Sequence, residues 1–451
     1  MIITFLHDEP EIYPVPAGGK ERCIMNLARE LSKRKVISKI NIITRTARIA
    51  GKKIKLSPKV TLYKFDNYDL PRKIVEFAYN SDILSVHLCS FQMPNIIVPN
   101  CKIINHIHDI IYATVDRGSH LDKTLGASYS ALYSPSEFVT TFIKNLFWWS
   151  GTTNKIITIP RGVDLDYIKE SINNSNKYLK GLDDDTLRIL DSNKYKIFFP
   201  NRLNSFKGEY FIEGITKVLN KKSFKYTIFM PENKTNNKIK NVKYIPWLTG
   251  KKLYAFYSKM NAVINLSLNP ESFSQVVIDS VASKVAVLCF PFGNLKNLSL
   301  ELPSVVITKP SASEISKHII KMLSDPKYGE LKDKSYDILS KKYSIKDVVN
   351  SYIKTFDKLT KPESYNNVKD VRKYHNKYCI NPYVALFSGE AYIANGNALS
   401  KIKININEQQ ILLLLKTVKD VRQLSKKLNL NVKLVEKNVD KLLKERLIIE
   451  V

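Results

Sequence analysis

Tyr195-Lys196-Ile197-Phe198-Phe199-Pro200-Asn201-Arg202-Leu203-Asn204-Ser205-Phe206-Lys207-Gly208 sets the frame for the whole chain. Residues 195–200 form an apolar run of strand length. A polar loop follows, and the spacing predicts a helix over about 207–220. A strand feeding a helix through a polar loop is the unit of an α/β sheet, whose ligands lie at the carboxyl ends of the strands. Arg202 and Lys207 sit in that position. Arg supplies a fork and Lys a compact charge, so the two could converge on a diphosphate. A solvated surface in a basic chain would show the same pair.

Outward from this unit the pattern continues in both directions. Strands are predicted at 226–230, 242–245, 262–266, 285–290 and 304–307, with helices at about 249–259, 274–283, 312–324 and 345–360. Before it lie strands at 1–7, 40–46, 60–65, 83–88, 102–108, 130–134 and 155–160. Ala17-Gly18-Gly19 separates the first strand from a helix carrying Ile24, Leu27 and Leu31 on one face. Residues 170–193 are rich in Asn, Ser, Lys and Asp and read as a surface segment between two domains. The fold class is therefore α/β, with two Rossmann-like domains, 1–185 and 186–360, facing a cleft. A linker at 361–380 and a small α+β module at 381–451 follow.

Bulk composition narrows the class. Among the 451 residues, 44% are hydrophobic and 25% charged, which suits packed cores and excludes global disorder. The net charge of +29 favours anionic partners without selecting one. Cys23, Cys89, Cys101, Cys289 and Cys379 are scattered, which argues against a zinc site or disulfide framework and fits a reducing compartment. The start has no signal-peptide pattern and no apolar run reaches the ~20 residues that span a bilayer, so a cytoplasmic protein is expected. Phe147-Trp148-Trp149 reads equally as an interfacial patch, leaving peripheral membrane contact open, or as packing between helices.

Several short stretches carry candidate chemistry. Gly18-Gly19 before a helix lets a ligand approach backbone N–H groups, or simply makes a tight turn. Asn105-His106-Ile107-His108-Asp109 ends a strand and puts two histidines on one face. They could serve a sugar hydroxyl or a developing charge, or be polar packing. A metal site needs a third ligand, and none is adjacent in sequence. Glu271-Ser272-Phe273-Ser274-Gln275-Val276-Val277-Ile278-Asp279 places two carboxylates eight residues apart, on one side of a helix starting near Ser272. Such carboxylates accept hydrogen bonds from sugar and ribose hydroxyls, or merely complement a helix dipole.

In this order the segments resemble a family 4 glycosyltransferase of the GT-B fold over roughly residues 1–360. The carrying stretches are Gly18-Gly19-Lys20-Glu21-Arg22, His108-Asp109, Ser136-Glu137-Phe138-Val139, Arg202 with Lys207-Gly208, and Glu271 to Asp279. Lys155-Ile156-Ile157-Thr158-Ile159-Pro160-Arg161-Gly162-Val163-Asp164 is similar to the family's KI-x-V-I-P-N-G-V-D. The resemblance implies a retaining, metal-independent hexosyltransferase-like enzyme with a nucleotide-sugar co-substrate, no cofactor and hinge closure. It implies His108 and Glu271 as catalytic. Gly18, Gly19, Arg202, Lys207, Phe273, Ser274 and Asp279 would bind the donor and its phosphates, with Asp279 on the ribose. Trp247 is placed near the base; ordinary core packing is the equal alternative. Asn201 and Ser274 stand where the family carries glycine, Asp279 stands for glutamate, and Pro231-Glu232 replaces a glycine turn.

Residues 381–451 resemble PqqD-like winged-helix modules, which bind leader peptides of ribosomally made peptides. The cues are Ala391-Tyr392-Ile393-Ala394-Asn395, Ile404-Asn405-Ile406 and the ending Val439 to Ile448. A peptide acceptor docked there is one expectation. A lysine stripe, Lys433, Lys437, Lys441 and Lys444, would suit nucleic acid, but Glu436, Asp440 and Glu445 interrupt it and make that partner disfavoured. Two rival functions remain: a non-catalytic sugar- or peptide-binding assembly factor, and a DNA-binding regulator.

Overall fold

The computed structural model describes residues 1–7, 18–45, 52–66, 69–87, 101–108, 130–146, 155–203, 205–222, 224–232, 239–361, 378–380, 384–387, 390–395, 398–415 and 421–450. Asp109 and Phe147-Trp148-Trp149 lie outside the described residues. The chain divides into two compact units: residues 1–164 with 341–373, and residues 165–340 with 374–451.

The first unit is built on β1 (Ile2–His7), α1 (Gly19–Ser32), β2 (Lys39–Arg45), β3 (Lys52–Lys55), β4 (Val60–Phe65), α2 (Leu70–Tyr79), β5 (Ile83–His87), β6 (Lys102–His106), β7 (Ala131–Ser134), α3 (Glu137–Leu146) and β8 (Ile156–Thr158). Its sheet runs β3-β4-β2-β1-β5-β6-β7-β8, parallel except for β3 against β4. Sheet residues such as Phe5, Ile42, Leu62, Ile83 and Ile104 pack against Ile24, Leu27 and Leu31 of α1, the face that the sequence spacing predicts. A central strand buried on both faces needs such continuous apolar runs, and β5 is buried at every position.

The second unit opens with α4 (Leu165–Asn173), α5 (Ser175–Leu179) and α6 (Asp184–Asp191). The polar segment predicted at 170–193 is thus helical, and Asp183 caps α6 by accepting from the Thr186 amide at 2.9 Å. These helices are short and mostly solvated, so their apolar periodicity is too thin to read. There follow β9 (Tyr195–Phe198), α7 (Phe211–Lys221), β10 (Tyr226–Pro231), β11 (Val242–Ile245), α8 (Gly250–Tyr257), β12 (Ala262–Asn265), α9 (Gln275–Ala282), β13 (Ala286–Cys289), α10 (Leu295–Glu301), β14 (Val305–Ile307), α11 (Ala312–Ser324) and α12 (Lys327–Lys342). The sheet is wholly parallel in the order β11-β10-β9-β12-β13-β14.

Helix α13 (Ile345–Thr360) corrects the sequence-based division at residue 360. Its apolar residues Val348, Val349, Tyr352 and Phe356 join the first unit's core beside Leu27 and Leu31. Val163 and Ser344 form a parallel bridge, and a side chain at Gly162 would come within 2.6 Å of Ile345. An amphipathic stripe says that a helix must be covered, not which of two similar cores covers it.

The last segment holds β15 (Tyr378–Ile380), β16 (Val384–Phe387), β17 (Glu390–Asn395), β18 (Ala398–Lys403), α14 (Ile406–Leu414), α15 (Val421–Leu428), α16 (Val432–Lys444) and β19 (Ile448–Glu450). β16-β17-β18 form an antiparallel meander, while β15, inside the predicted linker, pairs with β19. Ile411, Leu412, Leu424, Val435, Val439 and Leu442 make its own core. Two residues tie it to the rest of the unit. Tyr392 packs into the core of the six-stranded sheet, and Glu390 accepts from Lys401 and Lys309 at 2.7 and 3.0 Å. Those two ammonium groups hold the Glu390 carboxyl down at about 2.

Candidate functional site

Among the parallel strands of each sheet the order reverses once, and a reversal leaves a crevice at the carboxyl ends of the two strands beside it. In the second unit the reversal lies between β9 and β12. The loop after β9 carries Arg202, which is exposed, and a short 3-10 turn, Ser205–Lys207. The Lys207 ammonium meets the Glu271 carboxylate at 2.6 Å and the Ser267 hydroxyl at 3.2 Å. Lys207 and Glu271 are therefore brought together from segments 64 residues apart. Gly208 has φ +73°, and a side chain there would lie 2.8 Å from the Leu266 Cβ, so glycine lets the Lys207 loop close onto the β12 exit.

Glu271 lies ahead of a helix, as the sequence reading has it, but that helix, α9, starts at Gln275 and not near Ser272. Glu271 is fixed by a backbone bridge to Gly293. The Asn294 amide donates to the Glu271 carbonyl at 2.8 Å. Gly293 has φ +65°, and an added Cβ would lie 2.6 Å from both the amide nitrogen and the carbonyl oxygen of Glu271.

Ser274, the residue before α9, holds a left-handed conformation (φ 69°, ψ 87°) that side chains disfavour. A buried polar chain holds it there. Asn201 Nδ2 donates to Asn265 Oδ1 at 3.0 Å, and Asn265 Nδ2 donates to the Ser274 hydroxyl at 3.0 Å. Asn201 and Ser274, two positions where the resemblance expects glycine, are thus joined through Asn265, at the end of β12.

Three other predicted residues fall elsewhere. Phe273 is a core side chain, 1% exposed. Asp279 is fully buried; its Oδ1 accepts from the Gln275 amide at 2.9 Å and the Tyr254 hydroxyl at 3.3 Å. Trp247 is 43% exposed, which rules out ordinary core packing.

In the first unit the reversal lies at β1 and β5. Gly18 precedes α1 in extended backbone, and Gly19 is the first helical residue. The Glu21 carboxylate fills the space beside Gly18 and lies 3.4 Å from His7 Nε2. Predicted His108 stands just past β6. Its Nε2 is 3.0 Å from His87 Nδ1, at the end of β5, and its Nδ1 is 3.1 Å from an Arg161 amine. Ser85 Oγ lies 3.0 Å from His87 Nε2 and 2.8 Å from His106 Nε2. Burial holds all three imidazoles neutral, with Arg161 adding to the effect on His106 and His108; His106 falls to about 3. The sequence reading found no third histidine. His87 is that residue, delivered by the parallel register of β5 and β6. The strand-end position of His87 was its one available signal, as it was for Asn265.

No family model matches the chain, and no curated protein sequence matches it. Solved structures do. A sucrose-phosphate synthase from Thermosynechococcus elongatus superposes with a TM-score of 0.60 at 12% identity, covering 80% of this chain and 99% of that one. The chain has the GT-B fold. Two further GT-B structures agree. HepE of Anabaena, solved with UDP and glucose, gives 0.58 at 15% identity over 79% of this chain and 100% of its own. A glycosyltransferase from Rickettsia africae gives 0.59 at 16% identity over 80% and 99%. Among the described residues of this GT-B chain, no helix is long and apolar enough to cross a membrane.

Proposed function

We propose that this chain is a glycosyltransferase that moves a sugar from a nucleoside-diphosphate sugar to an acceptor hydroxyl, with retention of anomeric configuration and without a metal ion. The observation that carries the reading is the Lys207–Glu271–Ser267 cluster at the strand-order reversal of the second sheet. The complex of HepE with UDP and glucose, in the same fold, supports it. In the transfer, the acceptor oxygen bonds to the anomeric carbon as the bond to the β-phosphate oxygen breaks. The nucleoside diphosphate leaves with the electron pair, and the hydroxyl proton passes to it or to water.

Arg202 and Lys207 stabilise the charge that grows on the leaving diphosphate. Glu271 accepts hydrogen bonds from the sugar hydroxyls, His108 lies beside the transferred sugar, Gly18, Gly19 and Ser274 admit the phosphates by their backbone, and Trp247 stacks on the base. Asp279 is assigned to the ribose hydroxyls. The acceptor is a ribosomally made peptide docked on residues 381–451 as a PqqD-like module, and the reaction is cytoplasmic. Incubating the protein with UDP-, GDP- and ADP-sugars and reading release of nucleoside diphosphate tests this. Turnover of one donor that is lost in Glu271→Ala supports the reading; silence across the panel together with no diphosphate binding overturns it. The strained Ser274 and the buried Asp279 favour one second reading, a binding protein without turnover. It predicts diphosphate affinity with no release.

A further inference from the structure

The histidines of the first unit form a directed chain rather than a cluster. Their starting point is Arg161, which stands where the family stretch carries Asn. A guanidinium only donates. The Arg161 amine 3.1 Å from His108 Nδ1 therefore makes that nitrogen the acceptor, and the same amine also donates to the His108 carbonyl at 3.2 Å. A neutral His108 then carries its proton on Nε2 and donates to His87 Nδ1 at 3.0 Å. His87, accepting at Nδ1, carries its proton on Nε2 and donates to Ser85 Oγ at 3.0 Å. The Ser85 hydroxyl donates onward to His106 Nε2 at 2.8 Å, which leaves the His106 proton on Nδ1.

We infer that Arg161 fixes the tautomers of this relay, so that His108 is held as an Nε2–H donor, aimed at His87 in the free chain and offered to the transferred sugar when a sugar oxygen replaces His87. His87, Ser85 and Arg161 are positioning residues. The inference rests on the glycosyltransferase reading for the sugar, but not for the tautomers. Substrate would take the place of His87 as the acceptor of the His108 N–H, and an oxygen of the sugar is the group that fits.

The same three rings bring their nitrogens within 4.8 Å of one another, as a metal site would. Their orientation opposes that use. His87 and His106 are stacked, with centroids 3.8 Å apart and planes 19° from parallel, so their in-plane lone pairs run side by side instead of converging. Tyr352 of α13 stacks on the far side of the group, 5.8 Å from His106, and Tyr133 meets His106 edge-on at 5.0 Å. Arg161 and Lys20 add positive charge that a cation would have to overcome. Among the described residues, the groups that act on His108 include Arg161, His106, Lys20 and His7, with His87 hydrogen-bonded to it, and the Glu21 carboxylate lies 3.4 Å from His7 Nε2.

Histidine-selective 15N labelling of the full chain puts seven imidazoles in one spectrum. His87→Gln, His106→Gln and His108→Gln assign the three. Two-bond proton–nitrogen correlations at pH 7–8 then read each tautomer. The expected result is Nε2–H at His108 and His87, and Nδ1–H at His106. Arg161→Met should give His108 a mixture of tautomers and move its titration midpoint up through loss of a neighbouring cation. Ser85→Ala should release His106 alone and leave His108 and His87 as they were. An Nδ1–H His108 in the wild type, or tautomers unchanged in a folded Arg161→Met, overturns the relay, as does a spectrum that changes on adding EDTA. A chain that turns over no sugar nucleotide yet shows these tautomers would sink the glycosyltransferase reading and keep the relay.

Discussion

The two sheets place their candidate chemistry at the same topological point and build it from opposite materials. Beyond β9 and β12 stand full charges: Lys207 against Glu271, with Arg202 exposed nearby. Beyond β5 and β6 stand neutral imidazoles, kept neutral by burial and by a guanidinium that can only donate. A charged pair that keeps some access to solvent is suited to exchanging one partner for a phosphate. A buried neutral relay is suited to holding one donor in one direction. The shared topology decides where a site lies, and the local dielectric decides what kind of group can work there.

That contrast can be broken in several ways. Lys207→Ala should have the largest effect, lowering kcat by about 10²–10³-fold, the scale for losing one preorganised charge on a developing anion. Steady-state release of nucleoside diphosphate measures it, and a change in KM alone would mean Lys207 serves ground-state binding only. Gly293→Ala should cost about 2–4 kcal/mol, from left-handed strain plus overlap with the Glu271 backbone. Denaturant unfolding reads that loss, and an unchanged midpoint would show that Glu271 is not held by this bridge.

The neutral relay makes a prediction about pH. His106 drops from the usual 6.5 to about 3 on folding. A histidine depressed in this way favours the folded state above its unfolded value and loses that favour as the unfolded chain takes up the proton first. Stability of the wild type should therefore fall between about pH 6.5 and about pH 3, and His106→Gln should flatten that slope. Melting temperature against pH measures it, with an unaltered slope counting against burial as the cause.

The smallest effect separates strain from hydrogen bonding in the amide chain. Ser274→Gly relieves the left-handed backbone but leaves the Asn265 amide short of an acceptor, so its net change should stay within about 1 kcal/mol. Ser274→Ala keeps the strain and loses the bond, and should be worse by about 1–2 kcal/mol. Equal unfolding midpoints for the two would mean that the Asn201–Asn265–Ser274 chain carries no energy.

Much of this was legible along the chain, because it is local. Apolar runs and 3.6-residue spacing gave most of the strands of both sheets, the buried face of α1 and the restart of the pattern at Tyr195. Residues at strand exits gave Lys207, Glu271 and His108. Short solvated helices between 165 and 191 were missed because too few apolar residues mark them, and β3 and β15 because each is a brief strand in polar sequence.

The sequence by itself determined the doubly repeated α/β pattern and the charge of the groups at each strand end, since both follow from residue type and period. Tertiary structure alone decided which groups meet. Register set His87 beside His106 and His108, positive φ at Gly208 and Gly293 let distant backbones close on Lys207 and Glu271, and packing gave α13 to the first core and enclosed Asp279. Each of these depends on contacts between residues far apart in the chain, where periodicity carries no information.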